Sequence, residues 1–117
     1  MAKKVRVYLT RTCITSRRAV DYLKKKEVEV EAVDYCKMRL MKDQIAKLLK
    51  LAGVRPKDAL RRKDKMYKEL DLANRALSDD EVLKLMEKHP GLIQRPIVVV
   101  GDKAAIARET SKIDALL

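Results

Sequence analysis

The chain has 117 residues, with 28 Lys and Arg against 17 Asp and Glu and a formal net charge of +11. Its 47% apolar content and the lack of any apolar run near the ~18 residues of a membrane span point to one globular domain and away from disorder or a membrane helix. Two cysteines are too few for a disulfide framework, and with one distant histidine they make no zinc site, so neither metal nor cofactor is expected.

The first element alternates Val5, Val7 and Leu9 against Lys4, Arg6 and Tyr8, the period-two pattern of a strand over Lys3 to Leu9. Lys3, Lys4 and Arg6 have no long apolar stretch behind them, which argues against a signal peptide and for a cytoplasmic, reducing setting. Thr10 to Ile14 reads as a short polar loop. Ser16 to Lys26 follows as a helix with Ala19, Val20, Tyr22 and Leu23 on one face and Thr15 as its N-cap. Val28 to Val33 is a second strand, and a strand, helix and strand in so short a span predict a parallel βαβ unit.

The middle of the chain is helical. Ile45, Leu48, Leu49 and Ala52 lie at helical spacing over Lys42 to Ala52, which Gly53 ends; Pro56 to Leu60 and Lys65 to Leu70 read as two short helices. Ser78 to Lys88 is a helix whose Ser78 and Glu81 have capping-box spacing, stopped by His89-Pro90-Gly91. His89, the one histidine, suits a helix C-terminus, where its cation complements the dipole. Arg95-Pro96 introduces the apolar run Ile97 to Val100, Gly101-Asp102 signals a turn, and Lys103 to Ala107 completes a hairpin before a last helix over Ser111 to Leu117. The expected architecture is α/β, a four-stranded mixed sheet flanked by helices, in one domain over 1–117 with a helical insert over about 42–88.

Cys13 stands between a strand and a helix start, facing free backbone N–H groups, with Arg11, Arg17 and Arg18 nearby. Both effects favour the thiolate, the nucleophilic form. The alternative is a buried structural cysteine, set against the polar neighbours Thr12, Thr15 and Ser16. The same loop has the makings of an anion site, through the N–H groups of a helix start. Cys36 falls just past the second strand, on the side where parallel neighbours end, so it is either a small half-buried apolar residue or a candidate resolving thiol for Cys13.

The segment Cys13-Ile14-Thr15-Ser16-Arg17-Arg18 resembles the active-site loop of the arsenate reductase / Spx (ArsC-like) family. His89-Pro90-Gly91-Leu92-Ile93-Gln94-Arg95-Pro96-Ile97-Val98-Val99 resembles that family's late segment, and Leu60-Arg61 with Tyr67-Lys68-Glu69-Leu70 its middle motif, in the same order along almost the whole chain. The resemblance implies a thioredoxin-like fold with a cis proline at Pro96. It also implies a thiol-dependent oxidoreductase in which Cys13 attacks an oxyanion held by Arg61, Arg95 and Arg108; Thr15, Ser16 and Arg17, at the helix start beside the thiol, are the candidate substrate-binding residues. Glutathione, glutaredoxin or thioredoxin would be the reductant. The chain departs from the family at Leu9, where glutaredoxin-coupled members carry a His, and at Thr10-Arg11, where Asn-Pro is usual; thiol activation then falls to the helix end and the arginines. The other branch of the resemblance, Spx-type regulators that dock on RNA polymerase without catalysis, carries a Cys-x-x-Cys switch, and here the second position is Ser16. Direct nucleic-acid binding has the net charge behind it but no recognisable reading motif.

Overall fold

A computed structural model describes residues 3–10, 13–35 and 37–117. Four strands, β1 (Lys3–Leu9), β2 (Val28–Asp34), β3 (Ile97–Val100) and β4 (Lys103–Ile106), form one sheet in the order β2-β1-β3-β4. β1 and β2 run parallel, joined by helix α1 (Ile14–Lys24); β1 with β3 and β3 with β4 are antiparallel. Between β2 and β3 lie α2 (Lys42–Ala52), α3 (Lys65–Glu69) and α4 (Asp79–Lys88), with short 3-10 turns at Pro56–Ala59, Leu72–Asn74 and Pro90–Leu92; α5 (Thr110–Leu116) closes the chain. This is a thioredoxin-like α/β fold with helical insertions.

The strand period explains how one thin sheet supports two cores. Val5, Val7 and Leu9 turn to one face and pack with Ala19 and Leu23 of α1 and Ile113 of α5. Tyr8 turns to the other face, where Ile97 joins Ile45, Leu48 and Leu49 of α2 and Val82, Leu83 and Met86 of α4. β3 serves both: Ile97 faces the insert and Val98 faces α1 and α5. Each fully buried Val, Leu or Ile contributes about 1.5–3 kcal/mol, so the C-terminal end of β1, with Val7 and Leu9 on one face and Tyr8 on the other, is held from both sides.

Local signals act as the sequence requires. Ser78 Oγ accepts from the Glu81 N–H at 3.2 Å while Glu81 Oε1 accepts from the Ser78 N–H at 3.2 Å, a reciprocal capping box at the start of α4. Gly53 takes φ 67° at the C-cap of α2, a left-handed conformation that glycine adopts without a Cβ penalty. His89 is the C-cap of α4.

One expectation is corrected at the first helix. α1 begins at Ile14, not Ser16, and its N-cap is Cys13 rather than Thr15. The Cys13 backbone is extended and its carbonyl accepts from the Arg17 N–H at 3.1 Å, so the helical ladder starts two residues earlier than the side-chain polarity suggests. Thr15 is thereby the second residue of the helix. The insert's first short helix is likewise a 3-10 turn, over Pro56–Ala59.

Candidate active site

The N-cap position sets the environment of Cys13. Its own N–H donates to the Thr10 carbonyl at 3.2 Å, which closes the loop tightly, and the first turn of α1 carries no acidic residue to offset the helix-end field. Cys13 is a free thiol and is partly exposed. It opens on a cleft of about 590 Å³ lined by Cys13, Ile14, Thr15, Arg61, Arg62, Lys63, Gln94 and Arg108. Thiol and cationic side chains from three distant parts of the chain thus share one depression.

Arg61 arrives there through backbone pairing between the insert and the late segment. Leu60 and Ile93 form an antiparallel bridge, the Arg61 N–H donates to the Leu92 carbonyl at 2.7 Å, and the Gln94 N–H donates to the Ala59 carbonyl at 2.9 Å. Asp64 steadies the side chain: one carboxylate oxygen lies 3.7 Å from Arg61 Nη1, and the other caps α3 by accepting from the Met66 N–H at 3.1 Å. Arg108 follows β4, exposed on the cleft rim.

Arg95 is buried, only 7% exposed, and its guanidinium is close enough to the Cys13 sulfur to act on it. It does not line the cleft; its Nη1 donates to the Tyr35 hydroxyl at 3.3 Å and the Gly91 carbonyl at 3.4 Å. The peptide bond that follows it, Arg95–Pro96, is cis. Burial works against the Arg95 charge, and the Tyr35 hydroxyl and the Cys13 sulfur more than restore it. For Cys13, burial pushes the thiol up, but the Ser16 hydroxyl, the Ser16 backbone N–H and the Arg95 guanidinium outweigh it and bring the thiol down to about 7. The buried polar side-chain atoms that lack a hydrogen-bond partner among the described residues are Thr10 Oγ1, Ser16 Oγ and Arg95 Nε, all on or beside the Cys13 loop. Ser16 Oγ therefore acts on the sulfur as a nearby dipole rather than through a well-formed hydrogen bond. Of these, Arg95 Nε belongs to the guanidinium that acts on the Cys13 sulfur, so that cation keeps an unused donor beside the thiol.

Ser16 and Arg17 lie apart from the cleft and line a second hollow with Leu9, Thr10, Val20, Asp21, Lys24 and Ala32. Thr15 alone of those three reaches the cleft with Cys13. Cys36 and Arg11 fall outside the described residues, and with them the pairing of Cys13 with Cys36. Ile14, Arg62, Lys63 and Gln94 also line the cleft, and Tyr35 contacts Arg95; Ile14 and Gln94 lie within the segments that resemble the family, but none of the five is among the candidate site residues read from sequence. The basic run Arg61-Arg62-Lys63 was the signal for two of them. Among the described residues no cluster of three or more potential metal ligands exists, and no helix is long and apolar enough to cross a membrane.

Gly91 joins the two arginines. A Cβ there would stand 2.6 Å from Asp64 Oδ1, so the close approach of the carboxylate that holds Arg61 requires glycine, while the Gly91 carbonyl accepts from Arg95. Gly91→Ala should displace the Asp64 side chain and cost about 1 kcal/mol through the lost cap. It should also weaken anion binding at the cleft; urea unfolding and an anion titration would check the two effects separately.

The ArsC family model matches residues 8–116, which include every residue of the cleft. The chain belongs to the ArsC family. An arsenate reductase of Neisseria meningitidis serogroup B is 35% identical over 118 residues, covering 97% of this chain and 98% of that protein. The Escherichia coli K12 protein YfgD is 35% identical over 114 residues, covering 97% of this chain and 96% of its own. A solved arsenate reductase from Vibrio cholerae superposes with a TM-score of 0.93 at 29% identity, covering the whole of both chains. Membership of the ArsC family carries a redox-type function, and the ArsC fold is the one built here around Cys13.

Proposed function

We propose that this protein is a thiol-dependent reductase of an oxyanion, with arsenate the leading substrate, working in a cytoplasmic, reducing setting. The observation that carries the reading is the placement of one free, partly exposed thiol at a cleft lined by Arg61, Arg62, Lys63 and Arg108, with Arg95 buried beside the sulfur. Cys13 is the nucleophile. Arg61, Arg95 and Arg108 hold the oxyanion, since guanidinium forks match tetrahedral oxyanions and would repel one another without an anion between them. Thr15 adds a hydroxyl at the cleft wall, Ser16 acts on the sulfur from the first turn of α1, and Arg17 contributes to the field at the helix end.

In this mechanism the Cys13 thiolate attacks arsenic, an S–As bond forms, and an arsenate oxygen leaves as water after taking up protons. A small thiol such as glutathione, or the thiol of glutaredoxin or thioredoxin, then attacks Sγ. The electron pair of the S–As bond passes to arsenic, which departs as arsenite, and Cys13 is left in a mixed disulfide. A second thiol releases Cys13 and completes a disulfide. Two thiols are oxidised for each arsenate reduced.

The cleft would have to bind the anion before any chemistry. Saturating arsenate or sulfate should slow alkylation of Cys13 in Cys36→Ser protein at least about tenfold, because the anion covers the thiol and competes with its negative charge. An unchanged rate would remove the oxyanion site. Arsenate reduction, measured with glutathione plus glutaredoxin and separately with thioredoxin, then tests the reaction and identifies the reductant.

A further inference from the structure

Arg95 is a buried cation without a carboxylate partner among the described residues. Its acceptors are neutral, the Tyr35 hydroxyl and the Gly91 carbonyl. A carboxylate would hold the guanidinium more firmly, but it would also cancel the charge that the thiol and the oxyanion require. The group that orients Arg95 must therefore be a neutral acceptor fixed in place.

Tyr35 fits that requirement on three counts. Its backbone N–H donates to the Leu9 carbonyl at 3.2 Å, which ties it to the end of β1, next to the loop that carries Cys13. Its ring is fully buried in the core between sheet and insert. Its hydroxyl proton goes to the Ile93 carbonyl at 2.9 Å, so the phenol oxygen presents a lone pair to Arg95 Nη1 at 3.3 Å. The Ile93 carbonyl alone would satisfy a buried tyrosine hydroxyl; the contact with Arg95 goes beyond what core packing needs.

We propose that Tyr35 is a positioning residue: its hydroxyl, committed as a donor to Ile93, accepts from Arg95 and holds that guanidinium aimed at Cys13 without neutralising it. The proposal rests on the reading of Cys13 as the working thiol. The lowered pKa of Cys13, to which Arg95 contributes, agrees with it.

The test measures Cys13 alkylation against pH in a Cys36→Ser background, for the parent, Tyr35→Phe, Arg95→Ala and the double variant. Tyr35→Phe keeps the ring and should slow alkylation at pH 7 about threefold, while leaving the rate at high pH, where the thiol is fully ionised, unchanged. A merely structural role would not move the pH profile in this way. The effect of Tyr35→Phe should vanish when Arg95 is already alanine, because the hydroxyl acts only through the guanidinium. A second measurement needs no Tyr35 variant: the Tyr35 ring signals in the NMR spectrum of the parent should shift with the titration of Cys13, and should stop doing so in Arg95→Ala. The proposal falls, and the thiol reading stands, if Arg95→Ala moves the profile while Tyr35→Phe does not, or if the Tyr35 signals ignore the titration. Both fall if the Cys13 thiol of the parent titrates at or above the ordinary thiol value.

Discussion

Cys13→Ser should abolish thiol-dependent reduction of arsenate, leaving no turnover above background. A serine hydroxyl stays protonated near neutrality, so neither the helix-end field nor Arg95 can supply a nucleophile, and no other described cysteine can replace it. The same substitution should remove a pH dependence of stability. In the unfolded chain the thiol titrates near ~8.5, and in the fold at about 7. A depressed pKa contributes stability that is fully present above the unfolded value and lost as pH falls through the folded value. Stability of the Cys36→Ser protein should therefore rise between pH values of about 7 and ~8.5, by an amount on the order of 1 kcal/mol once solvent screening of this partly exposed group is allowed for. Denaturant unfolding at a series of pH values reads this directly, and the rise should disappear when Cys13 is serine. A variant that keeps its activity would displace Cys13 from the reaction.

Arg95→Ala should lower turnover about a hundredfold, the usual effect of removing one charged donor beside developing negative charge. Two losses combine. The thiol loses a cation that holds its pKa down, and the oxyanion loses a charge on the protein-facing side of the cleft. Arg95→Lys separates them, since it keeps a positive charge and one nitrogen in place of the Nη1 that donates to Tyr35 and Gly91, but loses the other guanidinium nitrogens that would face the anion. It should restore part of the thiol ionisation at pH 7 and little of the turnover. Steady-state kinetics with arsenate, read beside the alkylation profile, would show both. Equal activity in Arg95→Ala and the parent would make Arg95 a structural cation.

The linear pattern was sufficient for the elements and their order. The alternation of Val5, Val7 and Leu9, the helical spacing of Ile45, Leu48 and Leu49, the Ser78–Glu81 box and the Gly101-Asp102 turn are local features, set by periods and capping chemistry that a short window contains. Cys13 was legible for the same reason, as a polar loop cysteine between a strand and a helix, and the spaced motifs pointed to Arg61, Arg95 and Arg108. The tertiary structure decided how those arginines divide. Arg61 and Arg108 line the cleft, with Arg62 and Lys63 beside them, whereas Arg95 is buried and acts on the sulfur from within the protein. It also decided the partners. Tyr35 reaches Arg95 across 60 residues and Ile93 across 58, and Asp64 meets Gly91 only because the insert folds against the late segment. No period or spacing encodes such contacts; they follow from which faces of the sheet the two cores cover. Even the helix start obeyed this logic: Thr15 has the better capping side chain, but the loop closed by the Cys13 N–H and the Thr10 carbonyl begins the helix at Ile14, and places the thiol itself at the positive end.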